Sequence, residues 1–213
     1  MKIAILGGGH GAYAAAADLS EAGHEVRLWR RDATALEAVV RAGAITLKDA
    51  DGTREVPLAL ATADIAAALK GAELIVIPTP AIAQHDIALA MAPHLVDGQV
   101  VFLPPGTFGS YVMAKAVKQA GNRADVAWAE TGTLPYLARK HGEREVNVTI
   151  RAIRLPTGVY PARKAAEAVG VIRRAYPAVH ACGDALSGAL MNAGPIIHPP
   201  LMVMNAAPLQ HFE

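Results

Sequence analysis

The sequence predicts an α/β protein built on a doubly wound, mostly parallel sheet, followed by the start of an all-helical second domain. Three observations carry that expectation. Apolar runs of strand length, at residues 2–6 (KIAIL), 73–77 (ELIVI) and 99–103 (QVVFL), alternate with longer stretches of helical character. The first run ends in Gly7, Gly8 and Gly9 and passes straight into an Ala-rich helix. The stretch 184–207 changes character, with Asp184 as its single formal charge. Residues 1–183 therefore read as one dinucleotide-binding unit, and 184–213 as the first helical segment of a second domain.

The elements follow in order. Residues 13–22 (YAAAADLSEA) form a helix that Gly23 stops, and 24–29 (HEVRLW) form a second strand. Strand, glycine turn, helix and strand make one βαβ unit. The turn reads G-x-G-x-x-A at Gly7, Gly9 and Ala12, with His10 and Gly11 between. This is the dinucleotide fingerprint of a Rossmann-type sheet: a tight exit, a bare backbone for pyrophosphate, and close helix packing. The helix N-terminus adds unpaired N–H groups and a partial positive charge.

The end of the second strand selects the cofactor. An acidic residue there accepts bonds from the ribose 2′-OH of NAD. Here Arg30 and Arg31 follow Trp29, and two guanidinium groups suit a 2′-phosphate. NADP(H) is therefore favoured over NAD(H). The alternative is that both arginines are solvated loop charges and that Asp32 only caps the helix over 33–42.

Asp51-Gly52 between two strand-like runs predicts a small hairpin inserted after that helix. Asp64 caps a short helix that Gly71 ends. The run 73–77 leads into Pro78, Thr79 and Pro80, which line the cofactor cleft if the strand is parallel. A helix over 83–92 carries Gln84 and His85, each a substrate contact or simply a polar helix-start residue. The strand 99–103 ends in Pro104, Pro105 and Gly106, a second turn facing the cleft, and a helix over 108–120 follows. Strands are expected at 124–130 and 145–153, and an amphipathic helix at 161–176. The stretch 184–207 reads as a buried helix, bent or interrupted at Pro195 and again at Pro199-Pro200, with Asn192 and His198 as polar groups inside it.

Composition narrows the function. The share of hydrophobic residues is 53% and of charged residues 18%, which suits a well-buried α/β core. Net charge is +1, with no basic stripe interleaved with aromatics, so nucleic acid is not an expected partner. The prolines argue against a membrane span in the apolar stretch 184–207. Cys182 is the one cysteine, so no intrachain disulfide forms. With no signal peptide before the first strand, a cytoplasmic location is the default. No metal site is expected.

Several segments together resemble the opine dehydrogenase family of octopine and nopaline dehydrogenases. They are GGGHGA at 7–12, PTPA at 78–81, PHLVDGQVVFLPPG at 93–106, AETGTLPY at 129–136 and NAGPIIHPPLMVMNA at 192–206. The resemblance implies reduction, by a nicotinamide cofactor, of the imine formed from an amino acid and a 2-oxo acid. It implies that His198 is the catalytic histidine, an imidazole being suited to proton exchange near neutral pH. It further implies that Asn192, Thr131 and Thr133 meet substrate. The apolar stretch 184–207, by its composition, is a candidate homo-oligomer contact. The family continues into a helical domain that supplies an acidic partner for the histidine, and nothing here matches it, so an incomplete form is expected. The alternatives are a two-domain reductase of the glycerol-3-phosphate or ketopantoate type, or a non-catalytic nucleotide-binding module.

Overall fold

The computed structural model describes residues 1–210. Its frame begins β1 (Lys2–Leu6), α1 (His10–Glu21), β2 (Glu25–Trp29), α2 (Glu37–Ala42), β3 (Ala44–Asp49), β4 (Gly52–Pro57), β5 (Leu60–Thr62) and α3 (Ile65–Leu69). It continues β6 (Leu74–Val76), α4 (Ala81–Met91), β7 (Val100–Leu103), α5 (Gly109–Gln119), β8 (Ala127–Thr131), β9 (Tyr136–His141) and β10 (Glu145–Arg151). It closes with β11 (Leu155–Tyr160), α6 (Ala165–Arg173), β12 (Val179–Asp184), α7 (Ala185–Leu190), α8 (Gly194–Met204) and α9 (Ala206–Leu209).

Eight strands form one sheet in the order β12-β11-β8-β7-β6-β1-β2-β5. All neighbours are parallel except β11, which runs antiparallel to β8. Alternate residues feed two cores: Ile3 and Ile5 join the side with α1 and α6, while Ala4 and Leu6 join the side with α4 and α5. From β1 the chain winds one way to β2 and β5, then the other way to β6, β7 and β8. The winding reverses between β1 and β6, and ligands settle outside the strand ends at such a switch point.

The expected hairpin is present, with Gly52 at φ +110 in its turn, but it belongs to a second sheet. That sheet runs β4-β3-β10-β9, with β10 parallel to β3 and antiparallel to β9. It covers the face of α1 turned away from the large sheet. Ala12, Tyr13, Ala14, Ala15, Ala16, Ala17 and Leu19 are all buried, because the helix is packed on both sides. A polar clasp completes the joint. The Asp49 carboxylate accepts from Arg54 (2.7 Å) and Arg151 (2.8 Å), which hold it well below the usual carboxylate range. Arg151 and the Tyr136 hydroxyl also donate to Asp18 on α1, at 2.6 and 3.0 Å.

The C-terminal stretch corrects two expectations. The helix breaks at residues 191–193, between α7 and α8, and α8 runs unbroken through Pro199 and Pro200. The carbonyls those prolines leave without helical partners stand on an exposed helix, where water serves them. Nor is the segment buried: Ile196, Val203 and Met204 are 73%, 76% and 77% exposed. No helix among the described residues is long and apolar enough to cross a membrane.

Candidate active site

The turns after β1 and β6 face each other at the switch point, and a cavity of about 310 Å³ lies between them. Gly7, Gly9, Arg30, Arg31, Pro78, Thr79 and Pro80 line it, as the sequence reading expects. Gly7 holds φ +144, and a Cβ there would stand 2.8 Å from Thr79 Cγ2, so only glycine fits. A Cβ on Gly11 would come within 3.2 Å of Pro78, and Ala12 is buried beneath the turn. Both support the cavity from behind. His10 opens α1, and its Nδ1 accepts from the Lys140 N–H (2.8 Å). Thr79 Oγ1 is buried without a partner, a free polar atom at the β6 end.

The two arginines are held differently. Arg30 lies half-buried across Gly8 and donates to the Ala35 carbonyl (3.1 Å). Arg31 is exposed and pairs with Asp86 on α4 (3.3 Å). Asp32 caps the following turn, accepting from the Ala35 N–H (3.0 Å). Sequence reasoning missed Asp86, which nothing but the tertiary fold brings to Arg31.

Pro105 and Gly106 do not line this cavity. They sit beyond β7, where the Gly106 N–H donates to the Thr131 carbonyl (3.1 Å) and its carbonyl accepts from Gln84 Nε2 (3.0 Å). Gln84 is thus a buried latch between α4 and this loop, while His85 is exposed. Thr107 and Phe108 both adopt positive φ, +56 and +64, which costs non-glycine residues energy. Glu130 stabilises that conformation. It is fully buried at the end of β8, and its carboxylate accepts from the Phe108 and Ser110 N–H groups at 2.8 Å each. Burial raises its pKa above the ordinary 4.5, and these hydrogen bonds pull against the rise. A carboxylate closing the apolar run AWAE was a signal the sequence reading left unused.

The residues expected to meet substrate come together through glycine contacts. Gly158 on β11 and Gly188 on α7 let the two backbones touch, since a Cβ on Gly188 would stand 2.7 Å from the Gly158 nitrogen. That seats α7 on the large sheet and carries Asn192 to the β8 end. A Cβ on Gly132, between Thr131 and Thr133, would stand 2.3 Å from the Asn192 nitrogen. Thr131 is buried and Thr133 exposed. The Asn192 side chain accepts from the Gly194 N–H (3.0 Å), and the His198 ring lies on the same flank of Gly194. His198 itself is exposed.

This sheet and cleft define a nucleotide-binding protein of Rossmann type. The family model for the N-terminus of NAD-dependent glycerol-3-phosphate dehydrogenase matches residues 2–103. The chain is also an opine dehydrogenase homologue: it is 31% identical over 206 residues to an opine dehydrogenase of Arthrobacter sp. (strain 1C), covering 96% of this chain and 57% of that one. Octopine dehydrogenase in its structure with NADH and pyruvate superposes with a TM-score of 0.77 at 20% identity, over 100% of this chain and 57% of that one. NADP+-bound yersinopine dehydrogenase gives 0.74 at 16%, over 100% and 56%. The chain thus spans little more than half the length of these relatives.

Proposed function

We propose that this chain carries the cofactor-binding part of an NADPH-dependent oxidoreductase that reduces the imine formed from an amino acid and a 2-oxo acid. The observation that carries the cofactor assignment is one cavity at the switch point lined by the glycine turn and both arginines. Homology to an opine dehydrogenase supports the reaction class. On this reading residues 1–183 bind the dinucleotide, and 184–213 begin the substrate-facing region.

The cleft fits the cofactor. A side chain on Gly7 would fill the cradle, and Thr79 Oγ1 lacks a partner that a ligand can supply. Gly7, Gly9 and the start of α1 offer bare backbone and N–H groups to the pyrophosphate, with His10, Gly11 and Ala12 setting the helix in place. Arg30 and Arg31 hold the 2′-phosphate. Pro78, Thr79 and Pro80 form the opposite wall, and Pro105 and Gly106 border the nicotinamide end. When bound, the cofactor supplies a hydride. Asn192, Thr131 and Thr133 orient the substrate, and His198 exchanges a proton with it through an imidazole nitrogen.

Glycerol-phosphate chemistry is the second reading, favoured by the family model over 2–103. It calls for a lysine at the substrate. Lys115 and Lys118 on α5 are exposed and line a separate hollow, away from the glycine turn.

The test is cofactor oxidation by the protein in its full natural length, with NADPH, pyruvate and a broad amino-acid panel. Turnover is expected, and His198→Ala should abolish most of it while NADPH affinity stays within about twofold. No turnover across the panel would discard the reaction assigned. Equal affinity for NADPH and NADH would discard the role given to the arginines.

A further inference from the structure

The second sheet delivers to the glycine turn a cation that no motif marks. Lys140 lies near the end of β9, and its N–H donates to His10 Nδ1 (2.8 Å), which fixes the strand against the first residue of α1. Its ammonium stands 4.5 Å from the centroid of the Tyr13 ring, so it folds back over the first turn of that helix. Arg30, just past the end of β2, lies across Gly8 of the glycine turn.

Lys140 and Arg30 share the wall of a second hollow, about 390 Å³, beside the nucleotide cavity. Arg30 lines both spaces. Among the described residues neither cation forms a salt bridge, whereas Arg31, Arg54, Arg144 and Arg151 all do. Glu143 also borders the hollow. Its field favours the charged lysine, but burial and the Arg30 charge both disfavour it, and the net effect holds Lys140 below the ordinary lysine range. Two half-buried cations thus line one hollow whose carboxylates, Glu37 and Glu143, form a salt bridge with neither among the described residues, an arrangement that an anion of charge near −2 would neutralise further.

We propose that Lys140 and Arg30 together bind the 2′-phosphate of NADP(H), which makes Lys140 a determinant of cofactor specificity carried by the second sheet. This rests on the dinucleotide reading above. It also ranks the cations. Arg31 is already engaged by Asp86, so Lys140 contributes more to phosphate recognition than Arg31 does.

The proposal is tested by measuring dissociation constants of NADPH, NADH, 2′,5′-ADP and 5′-AMP for the parent chain, Lys140→Gln and Lys140→Arg. Lys140→Gln should weaken NADPH and 2′,5′-ADP by about tenfold, the size of one charge-assisted hydrogen bond, and change NADH and 5′-AMP by less than about twofold. Lys140→Arg should recover most of the loss. An unchanged ratio of NADPH to NADH affinity overturns the proposal. That includes equal weakening of both, which would mark Lys140 as a prop for His10 and Tyr13 only. Failure of the dinucleotide reading is distinct: the parent chain would then bind neither dinucleotide.

Discussion

The glycine turn at 7–12 and the segment 192–204 are both made of small and apolar residues around a few polar groups, yet one is walled in and the other stands open. The turn is enclosed by β2, the Pro78–Pro80 loop and the second sheet. The segment is seated at its start, where Asn192 touches Gly132, and beyond it Ile196, Met202 and Val203 face outward. A nucleotide site at a switch point is completed by loops that the sheet itself aligns. A polar group on a helix that stands open, such as His198, depends on whatever covers that helix.

Three variants sharpen this contrast. The largest effect is expected from Gly7→Ala, which places a Cβ at φ +144 and 2.8 Å from Thr79 Cγ2. Urea unfolding should show a loss of about 3 kcal/mol, and NADPH binding should fall with it. A loss below about 1 kcal/mol would mean the turn has slack that the structure does not show.

Glu130→Gln is next, at about 2 kcal/mol, because an amide cannot accept from both the Phe108 and Ser110 N–H groups through equivalent oxygens. Its pH signature has a definite sign. A carboxyl whose pKa is raised by folding stabilises the fold below its unfolded value and loses that contribution as pH rises through the folded value. The Glu130 contribution should therefore be lost as pH rises from about 4.5, its ordinary value, against the opposite trend from His24 and from the carboxyls that folding holds low. The melting-temperature difference between the parent chain and Glu130→Gln should shift against the parent as pH rises across that range, and a constant difference would assign the pH dependence to other groups.

The smallest effect belongs to the open end. Ile196→Ser with Met202→Ser should change stability by less than about 0.5 kcal/mol, since both side chains already face outward. A loss above about 1 kcal/mol, or a change of apparent mass in solution, would show that this face is covered.

Much of the site was legible because its parts are local. Gly7 to Ala12 announce themselves through spacing, and Asp32, Asp64 and Gly52 announce caps and a turn within a few residues of their partners. The strands β5, β9, β11 and β12 were not legible. β5 has only three residues, β9 carries Arg139, Lys140 and His141 among its six, β11 contains Pro156 and Gly158, and β12 contains Gly183, all of which weaken a local strand signal. The Ala-rich α1 looked like an ordinary sheet-packing helix, and only the second sheet explains why it is buried all round.

By itself, then, the sequence determined the βαβ unit and the nucleotide turn, since each depends on backbone preference and short spacing. The tertiary structure alone decided that Arg31 meets Asp86, that Glu130 holds the Pro105–Ser110 loop, and that Lys140 stands beside Arg30. Those pairings depend on strand register and on how the helices and the second sheet pack, and no local pattern encodes contacts between residues from 20 to more than a hundred positions apart.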